Sequence, residues 1–113
     1  MIVVIAGGRD YLPTQADVVW LDQMHEKLRI TKVISGGANG ADLLGENWAR
    51  ARKIELEVVQ AEWNKHGNAA GPIRNIKMGA IADALLVFPG GRGTAHMISV
   101  MERSNKPVFR SGQ

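Results

Sequence analysis

Three times in this chain a short apolar run, rich in β-branched residues, ends in a pair of glycines and gives way to a segment with helical periodicity. The three are IVVIAGG at residues 2–8, KVISGG at 32–37 and ALLVFPGG at 84–91. Strands alternating with helices at this spacing form βαβ units around a parallel sheet. Right-handed crossovers and short loops then leave few topologies. In a parallel sheet the carboxyl ends of all strands lie on one edge. The three glycine pairs are therefore expected to meet in space although they lie tens of residues apart.

The pattern resolves into specific elements. Ile2–Ala6 reads as the first strand, and Val18, Val19, Leu21, Met24 and Leu28 recur at helical spacing over 15–29. Thr14 is placed as the N-cap of that helix, with Asp17 in its first turn. A strand over Lys32–Ser35, a helix over Ala41–Lys53 and a strand over Glu55–Gln60 follow, with Leu56 and Val58 facing the core. Residues 61–71 read as a polar loop, and Pro72 as the opening of a helix. Ala84–Phe88 is the fourth strand, and Thr94 caps a helix that ends near Ser104. Val108 and Phe109 form a last short strand before a frayed tail, RSGQ. With 113 residues, the expected fold class is α/β: a single Rossmann-like domain over residues 1–113. Its parallel sheet of about five strands has the order 3-2-1-4-5, with helices on both faces.

Composition narrows the function classes. The chain has no cysteine, so no disulfide framework and no thiolate metal site. No metal or cofactor is expected, because His25 and His66 have no visible partner in sequence. No apolar run is long enough to span a bilayer, and the first residues lack the basic stretch of a signal peptide, so a cytoplasmic location is expected. A formal charge of +3 suits an anionic ligand or nucleic acid, but no run of five like charges argues for a polyanion-binding tail.

Glycine makes up 13 of the 113 residues and is clustered where a ligand would need bare backbone. Helix N-termini carry unpaired N–H groups and partial positive charge, which favour phosphate. The candidate ligand-binding residues are therefore Gly7, Gly8, Arg9 and Asp10 in the first loop, and Gly36, Gly37, Asn39 and Asp42 in the second. Arg74 and Asn75 join them at the start of a helix, with Pro89, Gly90, Gly91, Arg92, Gly93 and Thr94 in the third loop. Any single glycine loop has an equally good steric explanation; three at equivalent positions argue for a site. Neither a Walker A loop nor G-x-G-x-x-G occurs. Asp42 and Glu46, four apart on one helix, read either as a functional carboxylate pair or as favourable charges at a helix start. Tyr11 and Trp63 read either as aromatics over a base or as packing anchors.

The stretches "GGRDY", "SGGANGADLLGENWA", "AEWNKHGNAAGPIRNIKM" and "ADALLVFPGGRGTAHM" together resemble the YspA-type branch of the SLOG superfamily, which groups Smf/DprA proteins with Lonely-guy phosphoribohydrolases. The resemblance runs from Ile2 to about Val108 and implies a Rossmann-like fold that holds a nucleotide or nucleotide-derived ligand. An ADP-ribose-like molecule or a cyclic nucleotide signal, sensed or sequestered, is the leading expectation. Lonely-guy enzymes hydrolyse the N-glycosidic bond of nucleoside monophosphates through a PGGxGTxxE motif and an arginine. Here Pro89, Gly90, Gly91, Gly93 and Thr94 match the motif, but Met97 stands at the glutamate position. In an enzyme reading, Glu46 and Arg74 are the catalytic candidates. DprA relatives bind single-stranded DNA; with one Tyr, two Phe and three Trp, this chain shows no obvious stacking series, so nucleic acid ranks lower. Superfamily members commonly assemble, and a homo-oligomer is expected.

Overall fold

The computed structural model describes residues 1–112. Its elements are β1 (Ile2–Ala6), α1 (Gln15–Leu28), β2 (Lys32–Ser35), α2 (Ala41–Ala51), β3 (Glu55–Val58), α3 (Trp63–His66), a 3-10 turn (Gly67–Ala69), α4 (Ala70–Ile81), β4 (Ala84–Val87), α5 (Arg92–Arg103) and β5 (Val108–Arg110). All strand pairings are parallel, and the sheet order is β3-β2-β1-β4-β5, as the sequence predicts.

Alternation along the central strands explains the two helical layers, because successive side chains of a strand point to opposite faces. Val3 and Ile5 of β1 join Val33, Ala84 and Leu86 in one apolar cluster, which Leu21 and Met24 of α1 and Leu44 and Trp48 of α2 cover. Val4 and Ala6 join Ile34, Leu85 and Val87 in the other, beneath Met78 of α4 and Met97 and Met101 of α5. β1 and β4 are buried on both faces and read as continuous apolar runs, the signature of central parallel strands. No helix among the described residues is long and apolar enough to cross a membrane.

Several boundaries differ from the sequence reading. Residues 61–71 are not a plain loop. They hold α3 and the 3-10 turn, and α4 starts at Ala70, so Pro72 is its third residue rather than its first. Proline is tolerated throughout the first turn, where no intrahelical partner for its missing N–H exists, so it marks the turn and not the first residue. Thr94 does not cap α5. Gly91 is the N-cap, and its carbonyl accepts the Ala95 N–H at 3.0 Å. α2 stops at Ala51, and Lys53 adopts φ +58. β3 stops at Val58, which is 38% exposed because β3 is an edge strand with a thin cover. The tail is ordered further than expected: Arg110 belongs to β5, and the Ser111 N–H donates to the Val87 carbonyl at 2.9 Å. Gln113, the end of that tail, lies outside the described residues. Thr14 does cap α1: the Asp17 carboxylate accepts its backbone N–H at 2.8 Å.

Leu86 is fully buried in β4 between its two neighbouring strands. Leu86→Ala removes that packing and leaves a cavity. It is expected to lower unfolding stability by about 2–5 kcal/mol, read from the shift of the urea unfolding midpoint.

Candidate functional site

The chain passes from β1 outward to β2 and β3, then returns to β4 on the other side of β1. The loops leaving β1 and β4 therefore part in opposite directions, and the crevice between them is where open parallel sheets hold ligands. Here the loops are tied together through a single residue. The Gly8 N–H donates to the Pro89 carbonyl at 2.9 Å, and the Gly8 carbonyl accepts the Ala41 N–H at 3.1 Å. One peptide strand thus joins the loop after β4 to the first residue of α2.

Glycine is obligatory where this tie is closest. Gly40 has φ +69, and a Cβ there would run into the carbonyl oxygens of Gly8 and Arg9. A Cβ on Gly90 would strike the Thr94 hydroxyl and the Gly8 nitrogen. Gly91 and Gly93 differ: a Cβ on either would meet open space. These two are free of any packing demand from the chain.

Between the tied loops lies a cleft of about 560 Å³. Residues 7–11 form one side and 89–94 the other, with Ala38, Asp42, Arg74 and Asn75 between them and the buried Met78 and Met97 also in the lining. A second lobe of about 350 Å³ adjoins it, lined by Gly36, Gly37, Asn39, Gln60, Ala61 and Trp63. Arg9, Ala38 and Arg74 belong to both lobes. The candidates named from sequence therefore divide: Gly7, Gly8, Asp10, Asp42, Asn75 and the whole run 89–94 line the main cleft, while Gly36, Gly37 and Asn39 line the outer lobe.

Glu46 lies in neither lobe. Its carboxylate accepts the Ser35 hydroxyl at 2.6 Å and pairs with Arg50 at 3.6 Å, a buried structural role on β2. Of the two α2 carboxyls, the one that lines the cleft is Asp42, which is buried and accepts the Ala38 N–H at 3.2 Å. Burial pushes the Asp42 pKa above its ordinary value; the Ala38 hydrogen bond and the Arg74 charge oppose that shift, and Glu46 adds to it.

The α4 side chains are held from behind. Arg74 Nη1 donates to the Gly36 carbonyl at 3.0 Å, which spans from α4 to the end of β2. The buried Asn75 amide donates to the Gly93 carbonyl at 3.3 Å and meets His96 Nδ1 at 3.1 Å, fixing the first turn of α5. His96 is absent from the lining of both lobes and acts on the cleft through Asn75. The Tyr11 hydroxyl donates to the Asp17 carboxylate at 2.9 Å, and its ring packs against Phe88 with centroids 5.4 Å apart, so it braces the first loop. Arg9, Arg74 and Arg92 face Asp10 and Asp42 around the cleft. Three guanidinium groups against two carboxyls leave positive charge in excess around the cleft.

Sequence reasoning missed Gln60, which it read as the last residue of the third strand, and Ala61, which it read as part of a polar loop. The exposed Trp63 beside them was the available signal.

The family model YAcAr, described as the YspA, cpYpsA-related SLOG family, matches residues 1–66. The chain belongs to this family. The match spans the first two glycine loops; the third lies beyond it. Among curated relatives, this YAcAr member is 36% identical over 121 residues to the Gene 61 protein of Mycobacterium phage D29, covering 97% of this chain and 95% of the phage protein. Among solved structures, it superposes on the DNA processing protein A (DprA) of Streptococcus pneumoniae with a TM-score of 0.76 at 16% identity. That superposition covers 96% of this chain but only 49% of DprA, so the YAcAr member spans about half of DprA's length. It also superposes on the protein TM1055 with a TM-score of 0.69 at 19% identity, covering 95% of this chain and 71% of TM1055. At these identities the two structures establish the shared Rossmann-like fold.

Two outcomes follow from the site's construction. Because Gly93 sits in the first turn of α5 with open space around it, Gly93→Ala should not destabilise the fold, and by helix propensity it should stabilise it by up to about 1 kcal/mol. Thermal unfolding checks this. Asp42 binds its proton more tightly when folded, so its contribution falls as pH rises from the ordinary carboxylate value through the raised one. Asp42→Asn is therefore expected to be more stable than the parent at neutral pH. The gap should close below the ordinary value of 3.8, as urea midpoints across pH will show.

Proposed function

We propose that this chain, as a single nucleotide-binding domain, holds a nucleotide or nucleotide-derived molecule at the carboxyl edge of its sheet. Its role in this reading is sensing or sequestration. The observation that carries the reading is the meeting, in one cleft, of an unobstructed helix start at Gly91–Gly93 with the guanidinium groups of Arg9, Arg74 and Arg92. Backbone N–H groups at such a helix start bind phosphate oxygens, and guanidinium groups add charge-assisted hydrogen bonds. Family membership supports this choice of ligand class. The location proposed is the cytoplasm, and the assembly a homo-oligomer; Leu12, 82% exposed, is one apolar side chain that a second copy would cover.

A turnover reading is favoured by one observation: Asp42 is a buried carboxyl with a raised pKa that lines the cleft near Arg74. Such a group can deliver a proton to a departing base or take one from water, the acid–base task of N-glycosidic hydrolysis. Arg74 would neutralise the phosphate, and Glu46, held by Ser35 and Arg50, would support the helix. Met97, apolar and buried where Lonely-guy enzymes carry a glutamate, weighs toward binding without turnover. The name of DprA raises nucleic acid as a further partner class, which ranks below a small molecule.

Calorimetry of the purified protein against a panel of nucleoside mono- and diphosphates tests the binding reading. Binding well below millimolar is expected, and Arg74→Ala should weaken it about tenfold or more, as loss of a charge-assisted contact of about 1.5–3 kcal/mol requires. An absence of binding across the panel would reject the reading. Release of free base from a nucleoside monophosphate, abolished in Asp42→Asn, would establish turnover.

A further inference from the structure

The outer lobe contains a side chain that the fold does not explain. Trp63 is 53% exposed, although tryptophan is a residue that folding normally buries over most of its surface. It opens the four-residue α3, and its ring edge lies 3.5 Å from the position a Cβ on Gly71 would take. One edge of the indole is thus seated on α4, while the rest remains open to the lobe. Two primary amides share that lobe. The Gln60 side chain lies over Gly37, its Cγ 3.4 Å from a Cβ built there, and Asn39 lies on the adjoining loop. Among the described residues, neither amide has a side-chain hydrogen-bond partner, and neither does the Arg9 guanidinium. Arg74 uses Nη1 and Nε on protein acceptors, which leaves Nη2 unengaged at the junction of the two lobes.

We propose that the outer lobe is a subsite for a heteroaromatic base, and that the ligand is a nucleoside diphosphate or a derivative extended beyond its second phosphate. This deepens the phosphate-binding reading above and rests on it. The base stacks on Trp63, with the amides of Gln60 and Asn39 facing its hydrogen-bonding edge. The first phosphoryl group sits between Arg9 and Arg74, where the lobes join. The second reaches the first turn of α5 at Gly91–Thr94, in the main cleft. A ligand with only one phosphate cannot occupy both anionic positions while its base is stacked. The chemistry of the lobe matches this order: π-face and amides at one end, guanidinium groups in the middle, helix N–H groups at the other. Stacking on an exposed aromatic tolerates any base, so specificity among bases falls to the two amides.

The test is calorimetric titration of the full chain with three probes: ADP, AMP and inorganic pyrophosphate. Indole fluorescence runs in parallel, because Trp63 is the exposed one of the three tryptophans. ADP is expected to bind tighter than AMP. Trp63→Ala should weaken ADP roughly tenfold or more, within the range stacking contributes, while leaving pyrophosphate affinity unchanged. Trp63→Phe should restore most of the loss. If Trp63→Ala binds ADP as the parent does while pyrophosphate still binds, the base subsite is refuted and the phosphate site stands. An equal loss for ADP and pyrophosphate would make Trp63 a structural support and refute the subsite as well. AMP binding as tightly as ADP would refute the diphosphate assignment. Failure of all three probes to bind the parent would overturn both this inference and the binding reading on which it rests. A thymidine oligonucleotide that outcompetes ADP in a Trp63-dependent way would reassign the lobe to single-stranded nucleic acid.

Discussion

Two long-range hydrogen bonds made by the backbone of Gly8 hold the carboxyl edge of the sheet together. Its N–H reaches the Pro89 carbonyl and its carbonyl receives the Ala41 N–H, so loops from three distant parts of the chain meet at one residue. Parallel pairing alone would put these loops on the same edge without fixing their spacing. The Gly8 tie fixes it, and the cleft is the space left on its open side. Side chains at Gly40 or Gly90 would force the loops apart, because both approach the tie more closely than any Cβ permits.

This changes the meaning of the glycine clusters. From sequence they look like one device repeated three times, each clearing backbone for a ligand. The structure separates two purposes. Gly40 and Gly90 permit chain to pack on chain, whereas Gly91 and Gly93 stand in open space beside the cleft. Of the helix starts that follow the glycine loops, that of α5 is the one left open among the described residues. The start of α2 is occupied differently: its first N–H, on Ala41, donates to the Gly8 carbonyl, and the Asp42 carboxylate accepts the Ala38 N–H of the preceding loop. The Arg74–Gly36 and Asn75–Gly93 hydrogen bonds carry the order of the packed sheet into the α4 side chains. Those two side chains are thereby preorganised, which would lower the entropy cost of a contact with either.

Much of the architecture was legible in the sequence because its signals are local and strong. β1 and β4 are short, apolar and β-branched or leucine-rich, and a glycine pair follows each within a few residues. The sheet order followed from strand–helix alternation and handedness. The helix start at Thr14 was readable because an N-cap and its Asp17 partner lie three residues apart. What failed to show was weakly patterned. The α3 segment is a single turn with no apolar period, so it read as loop. Thr94 looked like a cap because its residue type is a common one, yet backbone geometry gave that place to Gly91.

The site divides in the same way. Sequence alone determined the sheet order, the shared edge for the glycine loops and the cationic residues that surround them, because periodicity, chain direction and residue type are properties of the chain itself. Only the tertiary structure decided which of two neighbouring carboxyls faces the cleft. Asp42 and Glu46 share one side of α2, but Ser35 on β2 and Arg50 hold Glu46, while Asp42 meets the space beside Arg74. Only the tertiary structure decided, too, that Trp63 stands open at the rim of a second lobe. Whether a side chain is buried, paired or free depends on what other parts of the chain bring against it, and that is set by packing at long range rather than by neighbours in sequence.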